Sequence, residues 1–245
     1  METQKEFANH KIKTTSCHQC GLKQSSVFQN CADELLDELF SNKQFRQYGK
    51  NEILIRQNDS FEGVFCIQEG TVKVSTSGNK NKDFILWFAR PGDMIGIDSF
   101  INNKNHSFTA ITVEPVSACF VPDTDFKKLV SKDPAIARKL MKVLCEEINF
   151  IETRITSISQ KSIREQFAEV LISIATKNKK SIVGNTSINY SIKDLANIIG
   201  TTNNYLYKIL SDLNEKNVVS IRNKKLVIKD FDKLSLIAIG EESVT

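Results

Sequence analysis

Three cysteines fall within fifteen residues near the N-terminus, in CHQCGLKQSSVFQNC, as Cys17, Cys20 and Cys31. Thiols spaced this way can close a disulfide, bind zinc or hold an iron–sulfur cluster. The preceding stretch, METQKEFANHKIK, is polar and lacks an apolar h-region, so it does not read as a signal peptide. No apolar run approaches the ~20 residues that span a bilayer. The expectation is a cytoplasmic protein with no membrane contact, where thiols stay reduced and a structural disulfide is disfavoured. Zinc usually takes two Cys-x-x-Cys pairs, or Cys and His at tight spacing. The chain has one such pair, although Cys119 could complete a tetrahedral site. Cys66, in the alternating stretch GVFCIQEG, reads as a core residue, and Cys145 reads as helix packing. His10 and His18 read as solvated. A thiol oxidoreductase would open a helix with its Cys-x-x-Cys, lowering the thiolate pKa. GLKQSSVFQN carries no helical pattern, so no enzyme is expected.

The elements that must position these thiols follow from the pattern of the chain. Its 245 residues allow one large domain or two ordinary ones, and 40% hydrophobic with 25% charged residues is the balance of a soluble globular protein. Residues 1–16 read as disordered. ADELLDELF, from Ala32 to Phe40, reads as a short amphipathic helix. From Lys43 to Pro122, short runs rich in Val, Ile and Phe alternate with Gly, Asn, Asp or Pro at intervals of about ten residues, the rhythm of an all-β roll, barrel or sandwich. Asp133–Pro134 is a helix start. Leu140, Leu144, Ile148, Ile151, Ile155 and Ile158 then recur at steps of three and four, one stripe on a helix about 39 Å long. A seam of that length calls for a second helix, and a symmetry mate is the simplest partner, so a homodimer is expected.

The C-terminal part carries a different charge. From Lys161 to Lys229 there are twelve Lys/Arg against five Asp/Glu, a net +7 within a chain of net +4. A basic module joined to a mildly acidic one suggests a nucleic-acid reader coupled to something else. A second amphipathic helix is expected from about Ser162 to Thr176, followed by a polar loop, KNKKSIVGNTS. In YSIKDLANIIGTTNNYLYKILSDLNEK, Ser191 can cap a helix with Asp194 three residues on, and Gly200 ends it. A second helix runs from about Thr202 to Glu215, and Ala196 suits the close crossing. Leu195, Ile199, Leu206 and Leu210 supply the core. VVSIRNKKLVIKD reads as two strands around a turn at Arg222–Lys225, which makes the module a winged helix-turn-helix. Its second helix would enter the major groove of double-stranded DNA. Thr202, Asn203, Asn204, Tyr207 and Lys208 are the candidates there, since Asn can pair with adenine and Lys with guanine or phosphate. Ser191, Lys193, Lys224 and Lys225 are better placed for phosphates.

A β-roll, a long helix and a winged helix-turn-helix, in that order, resemble the Crp/Fnr superfamily of bacterial transcription regulators. The resemblance runs from about Ala32 to Ile239 and is most specific in PGDMIGIDSF and in IKDLANIIGTTNNYLYKILSDLNEKNVV. It implies an α+β fold: a Cys-containing segment (1–31), a cyclic-nucleotide-binding-like β-roll (32–132), a dimerisation helix (133–160) and a DNA-binding domain (161–245). It also implies RNA polymerase as a partner. Members that bind cyclic nucleotides carry Gly-Glu after the PGD turn and Arg-Ser about ten residues later. Here Ile97–Asp98 follow the Gly, and the later pair is His106–Ser107. A cyclic phosphate would lack its cation, so cyclic AMP is not the expected effector.

The oxygen-sensing Fnr branch is the nearer likeness. Its late-strand cysteine matches Cys119, and its N-terminal Cys-x-x-Cys matches Cys17 and Cys20. The resemblance implies a 4Fe–4S cluster on Cys17, Cys20, Cys31 and Cys119, and a response to oxygen or nitric oxide; the alternative is a regulator of this type without a cluster, sensing a small ligand in the β-roll or direct thiol oxidation. The branch places its third N-terminal cysteine about six residues after the second, whereas Cys31 lies eleven residues after Cys20. A longer loop can still close, because the closure cost grows slowly with length. The other reading of Cys31 is a small buried hydrophobe. The recognition helix also departs from the branch, with Asn204, Tyr207 and Lys208 where Glu, Ser and Arg are usual. A different DNA half-site is therefore expected.

Overall fold

The computed structural model describes residues 17, 20–39, 41–77, 83–177, 186–188, 190–222 and 225–241. The expectations for residues 1–16, His10, His18, Lys224 and most of the polar loop after Lys177 lie outside the described residues.

Helix α1 (Asp33–Leu39) precedes eight strands: β1 (Gln44–Tyr48), β2 (Ile53–Ile55), β3 (Gly63–Glu69), β4 (Val72–Ser77), β5 (Asp83–Ala89), β6 (Met94–Ile95), β7 (Thr109–Thr112) and β8 (Val116–Pro122). A short helix α2 (Ile97–Asn102) interrupts them after β6. They form two four-stranded sheets of order β1-β8-β3-β6 and β2-β7-β4-β5, and every pair is antiparallel. The inner faces of the two sheets meet in a core that includes Ile67, Val72, Val74, Ile95, Phe108 and Ala118. β3 approaches β8 so closely at Gly63 that a Cβ there would sit 2.3 Å from the Val121 carbonyl oxygen, which requires glycine.

Helix α3 (Asp123–Lys132) follows β8 without a loop and buries Phe126 and Leu129. The β rhythm of the sequence stopped at Pro122 and gave no sign of this helix. Helix α4 (Pro134–Gln160) begins as expected, with the Asp133 carboxylate accepting the Ala135 amide at 2.9 Å. Its apolar stripe divides in two. Ile136 and Leu140 are buried against the roll, with Leu144 partly buried beside them. Ile148, Ile151, Ile155 and Ile158 are exposed, at 46–62% of their surface.

The C-terminal module comprises α5 (Ile163–Lys177), β9 (Thr186–Ile188), α6 (Ile192–Ile199), α7 (Asn203–Glu215), β10 (Val219–Arg222), β11 (Lys225–Ile228) and α8 (Phe231–Ala238). The wing is a three-stranded antiparallel sheet of order β10-β11-β9, one strand more than the sequence suggested. Gly200 ends α6 at φ +80°, the left-handed conformation glycine adopts without strain. Leu195, Ile199, Leu206 and Leu210 are buried together. The module packs on the roll. Ile85 of β5 joins its core, the Phe88 and Tyr190 rings lie 4.1 Å apart, and Lys73 pairs with Asp194 at 3.1 Å. Arg154 of α4 donates to the Ile198 carbonyl at 2.5 Å, so the long helix touches the reading head directly.

Candidate functional site

One row of side chains crosses the β1-β8-β3-β6 sheet. Phe45 stands opposite Cys119, Cys119 opposite Cys66, and Cys66 opposite Met94. Directly opposed residues on antiparallel strands share a face, with Cβ atoms about 5 Å apart. All four line a cavity of about 250 Å³. Lys43 and Gln68, each two residues along its chain from a member of this row, share the same wall because side chains alternate along a strand.

The opposite wall is the N-terminal segment. Val27 and Phe28 are buried in the core beneath the roll and anchor it. Two turns precede them, in which Cys17 O accepts the Cys20 amide (3.3 Å) and Cys20 O accepts the Lys23 amide (2.9 Å). These turns bring both Cys17 and Cys20 onto the cavity. The Lys43 ammonium donates to Cys17 Sγ at 3.2 Å, and the Cys20 thiol donates to Gln68 Oε1 at 3.2 Å.

Burial governs the electrostatics of these thiols. It raises the Cys17 thiol above its ordinary value, against the lowering pull of Lys43. Cys119 is pushed up to about 11 by the same cause, again opposed by Lys43. Cys66 is raised well above the usual range by burial and then by the neighbouring Cys119, Cys17 and Cys20. At neutral pH Cys17, Cys66 and Cys119 are therefore held as thiols rather than thiolates.

Of the four expected cluster ligands, the structure brings Cys17, Cys20 and Cys119 together and places Cys31 apart. Cys31 is buried in the core that joins the N-terminal segment to α3 and α4. Its thiol donates to Asp133 Oδ2 at 3.7 Å, and its carbonyl accepts the Lys23 ammonium at 2.9 Å. Cys66, expected in the core, packs part-buried against it and also lines the cavity. Cys145 is exposed on α4. Among the described residues, no group of three or more Cys, His, Asp or Glu is drawn close enough to hold a single metal ion.

The second candidate surface is the exposed side of α6 and α7. Ser191 Oγ accepts the Asp194 amide at 3.0 Å and donates to that residue's carboxylate at 2.6 Å, which fixes the start of α6. Thr202 caps α7 by accepting the Tyr205 amide at 3.3 Å. Ser191, Lys193, Thr202, Asn203, Asn204, Tyr207 and Lys208 are all exposed, while Leu206 and Ile209 between them are buried. One helix face thus presents amides, a phenol and an ammonium from a rigid support. Among the described residues, no helix is long and apolar enough to cross a membrane.

Comparison with known proteins matches both domains. Residues 45–133 match the cyclic nucleotide-binding domain, and residues 165–237 match the Crp-like helix-turn-helix domain. The chain is a member of the Crp/Fnr family of regulators. Among its relatives, the electron transport regulator A of Shewanella oneidensis is 25% identical over 227 residues, covering 91% of this chain and 90% of its own. The fumarate and nitrate reduction regulatory protein of Yersinia pestis is 22% identical over 225 residues, covering 91% and 90%. The solved structure of FixK2 from Bradyrhizobium japonicum shares the fold, with a TM-score of 0.71 and 20% identity over 80% of this chain and 96% of that one. Crp-like helix-turn-helix regulators bind DNA, are typically dimers and are not enzymes.

In this Crp/Fnr chain the corner that holds cyclic nucleotides in other members is occupied differently. His106 is buried, with Nδ1 2.9 Å from Ser99 Oγ, and burial lowers its pKa, so the ring is neutral near pH 7. Ser107 donates to Asp98 Oδ2 at 3.0 Å. An anionic phosphate there would meet a carboxylate and a neutral imidazole, an unfavourable pairing.

The sequence reading missed Lys43, Gln68 and Tyr205. Tyr205 is exposed in the first turn of α7, between the expected contact residues. Its neighbours on the helix face could have signalled it. Lys43 and Gln68 carried no signal, because only strand pairing reveals which residues stand beside Cys119.

Proposed function

We propose that this Crp/Fnr regulator is a homodimeric, DNA-binding transcription switch of the Fnr type. Its operator affinity would answer to oxygen or nitric oxide through a 4Fe–4S cluster held by the cavity thiols, and RNA polymerase would be its partner at the promoter. The observation that carries this reading is the meeting of Cys17 and Cys20, from the N-terminal segment, with Cys119, from the last strand of the roll, on one cavity. The names of relatives that align over most of the chain, concerned with electron transport and with fumarate and nitrate reduction, support it.

The residues present fit such a group. Zinc demands all its thiolates at about 2.3 Å from one atom. Thiols distributed around about 250 Å³ of space suit a larger, multi-atom centre. When bound, the cluster supplies an oxygen-labile link between the N-terminal segment and the roll. The protein supplies the rest. Lys43 offsets the negative charge of ligating thiolates, while Val27, Phe28, Phe45, Met94 and Val121 give the cavity apolar walls. Val27 and Phe28 share a buried core with Ile136 and Leu140 of α4, so order in the segment is felt at the long helix. Pairing of the exposed Ile148–Ile158 face between two copies would set two α7 helices about one DNA turn, ~34 Å, apart. Thr202, Asn203, Asn204, Tyr207 and Lys208 would then meet base edges, with Ser191, Lys193, Lys224 and Lys225 on the backbone.

Direct thiol oxidation is the second reading, favoured by the opposition of Cys66 and Cys119 and by the Cys17-x-x-Cys20 pair. The raised thiols weigh against it, since the thiolate is the reactive form. The discriminating experiment is anaerobic purification with assay of iron and acid-labile sulfide and a visible spectrum before and after air. About four of each per chain, with colour that bleaches in air, is expected. A colourless protein after anaerobic reconstitution would contradict the cluster reading.

A further inference from the structure

We infer that Cys66, not Cys31, is the fourth thiol of the metal centre, so that Cys17, Cys20, Cys66 and Cys119 form the ligand set. The inference rests on the cluster reading above and deepens it by naming the ligand.

Three observations lead to it. Cys66 and Cys119 are direct partners across β3 and β8, on the same sheet face, and both line the cavity. Cys17 and Cys20 line its other side. The cavity therefore has two thiols on a rigid sheet wall and two on the segment that covers it. Cys31 is absent from the lining and is committed elsewhere, with its thiol on Asp133 and its carbonyl on the Lys23 ammonium. Phe28 separates the two positions along the chain and is itself buried in the same core as Cys31. Turning Cys31 toward the cavity would pull it from that core and leave Asp133 without its thiol partner.

The chemistry agrees with the placement. Cys66 shares one cavity with three other thiols and with the apolar side chains of Phe45, Met94 and Val121. A cationic metal centre would hold all four as thiolates, because a coordinating thiol is deprotonated outright. The same four thiols that repel one another as thiolates become mutually compatible around positive charge. The eleven-residue gap from Cys20 to Cys31, too long for the family's spacing, then needs no special loop: Cys31 belongs to the start of the helical scaffold.

The test is anaerobic reconstitution of the full-length protein with ferrous iron and sulfide, comparing wild type, Cys66→Ser and Cys31→Ser. Iron and sulfide per chain and the visible spectrum are the readouts, with circular dichroism to confirm folding. Wild type and Cys31→Ser should load equally, and Cys66→Ser should lose at least half of its iron or show a shifted spectrum. Equal loading of Cys66→Ser with loss in Cys31→Ser would overturn the assignment while leaving the cluster reading intact. Failure of wild type to load would overturn both. Should Cys66→Ser not fold, iodoacetamide labelling of wild type with and without the cluster decides the matter. Cluster-dependent protection at Cys66 supports the assignment, and protection at Cys31 with none at Cys66 overturns it.

Discussion

The Asp133 carboxylate receives the Cys31 thiol on one oxygen and the Ala135 amide on the other, so a cysteine of the N-terminal segment braces the first turn of α4. The contact ties the segment that carries Cys17 and Cys20 to the helix that carries the exposed isoleucine face.

Cys31→Ala should therefore cost stability rather than metal. The loss of a buried hydrogen bond to a charged acceptor and of a packed sulfur is expected to amount to about 1–3 kcal/mol. Urea unfolding of the metal-free protein measures it. An unchanged midpoint would show that the brace carries no weight.

The isoleucine face makes the next prediction. Ile151 and Ile155 are exposed at 47% and 62%, on one helix stripe with the exposed Ile148 and Ile158. Ile151→Glu combined with Ile155→Glu should convert the protein to a monomer by sedimentation. It should also weaken operator binding by at least about tenfold, because each half-site would then bind alone. A dimer that survives both changes would place the interface elsewhere.

Much of this was legible in the residues, and the reasons it stopped are physical. The three-and-four spacing of the α4 apolar residues and the Asp133–Pro134 start gave the long helix, and Ser191, Gly200 and Ala196 gave the helix-turn-helix. These are local signals. Helix α3 was hidden because DTDFKKLVSK follows a strand with no turn between them, and the third wing strand because it sits in a polar stretch. The thiol site divided along the same line. Cys17 and Cys20 announce themselves by spacing, whereas Cys66 looks like any alternating core residue until β3 is paired with β8. Register between strands more than fifty residues apart is not written in either strand alone.

The reading head gives two predictions that differ in form. Asn204→Ala should weaken binding to the preferred operator by about 1–3 kcal/mol and relax discrimination at one base pair. Lys193→Ala should weaken binding to all sequences alike and lower the salt dependence by about one unit of slope. Fluorescence anisotropy across a salt series separates the two. Equal losses on specific and random DNA for Asn204→Ala would remove it from base readout.

Glu147, on the roll-facing part of α4, has its carboxyl pushed up to about 7 by burial and by the nearby Asp98 and Asp93. The folded state thus prefers the protonated acid. The corresponding stability is complete below the unfolded pKa of about 4.5 and is lost as pH rises through about 7. Glu147→Gln should flatten the decline in melting temperature between pH 5 and 8 and raise it at pH 8. A variant that melts like wild type at both pH values would contradict this.

The Lys43 ammonium lies 3.2 Å from Cys17 Sγ. Lys43→Met should raise the apparent pKa of Cys17 and slow its alkylation at pH 8 several-fold in the metal-free protein, since less thiolate is present. Rate measurement by mass spectrometry checks it, and an unaltered rate would mean that Lys43 does not act on the thiol.

The central claim is that the state of the thiol cavity controls the reading head. The direct measurement is the DNA affinity of anaerobically reconstituted dimer, taken before and after exposure to air at one fixed salt concentration. A coupling of about 1–3 kcal/mol is typical of such linkage, so affinity should fall roughly 5- to 150-fold as the cluster is lost. Equal affinity in the two states, with cluster loss confirmed by the spectrum, would contradict the account.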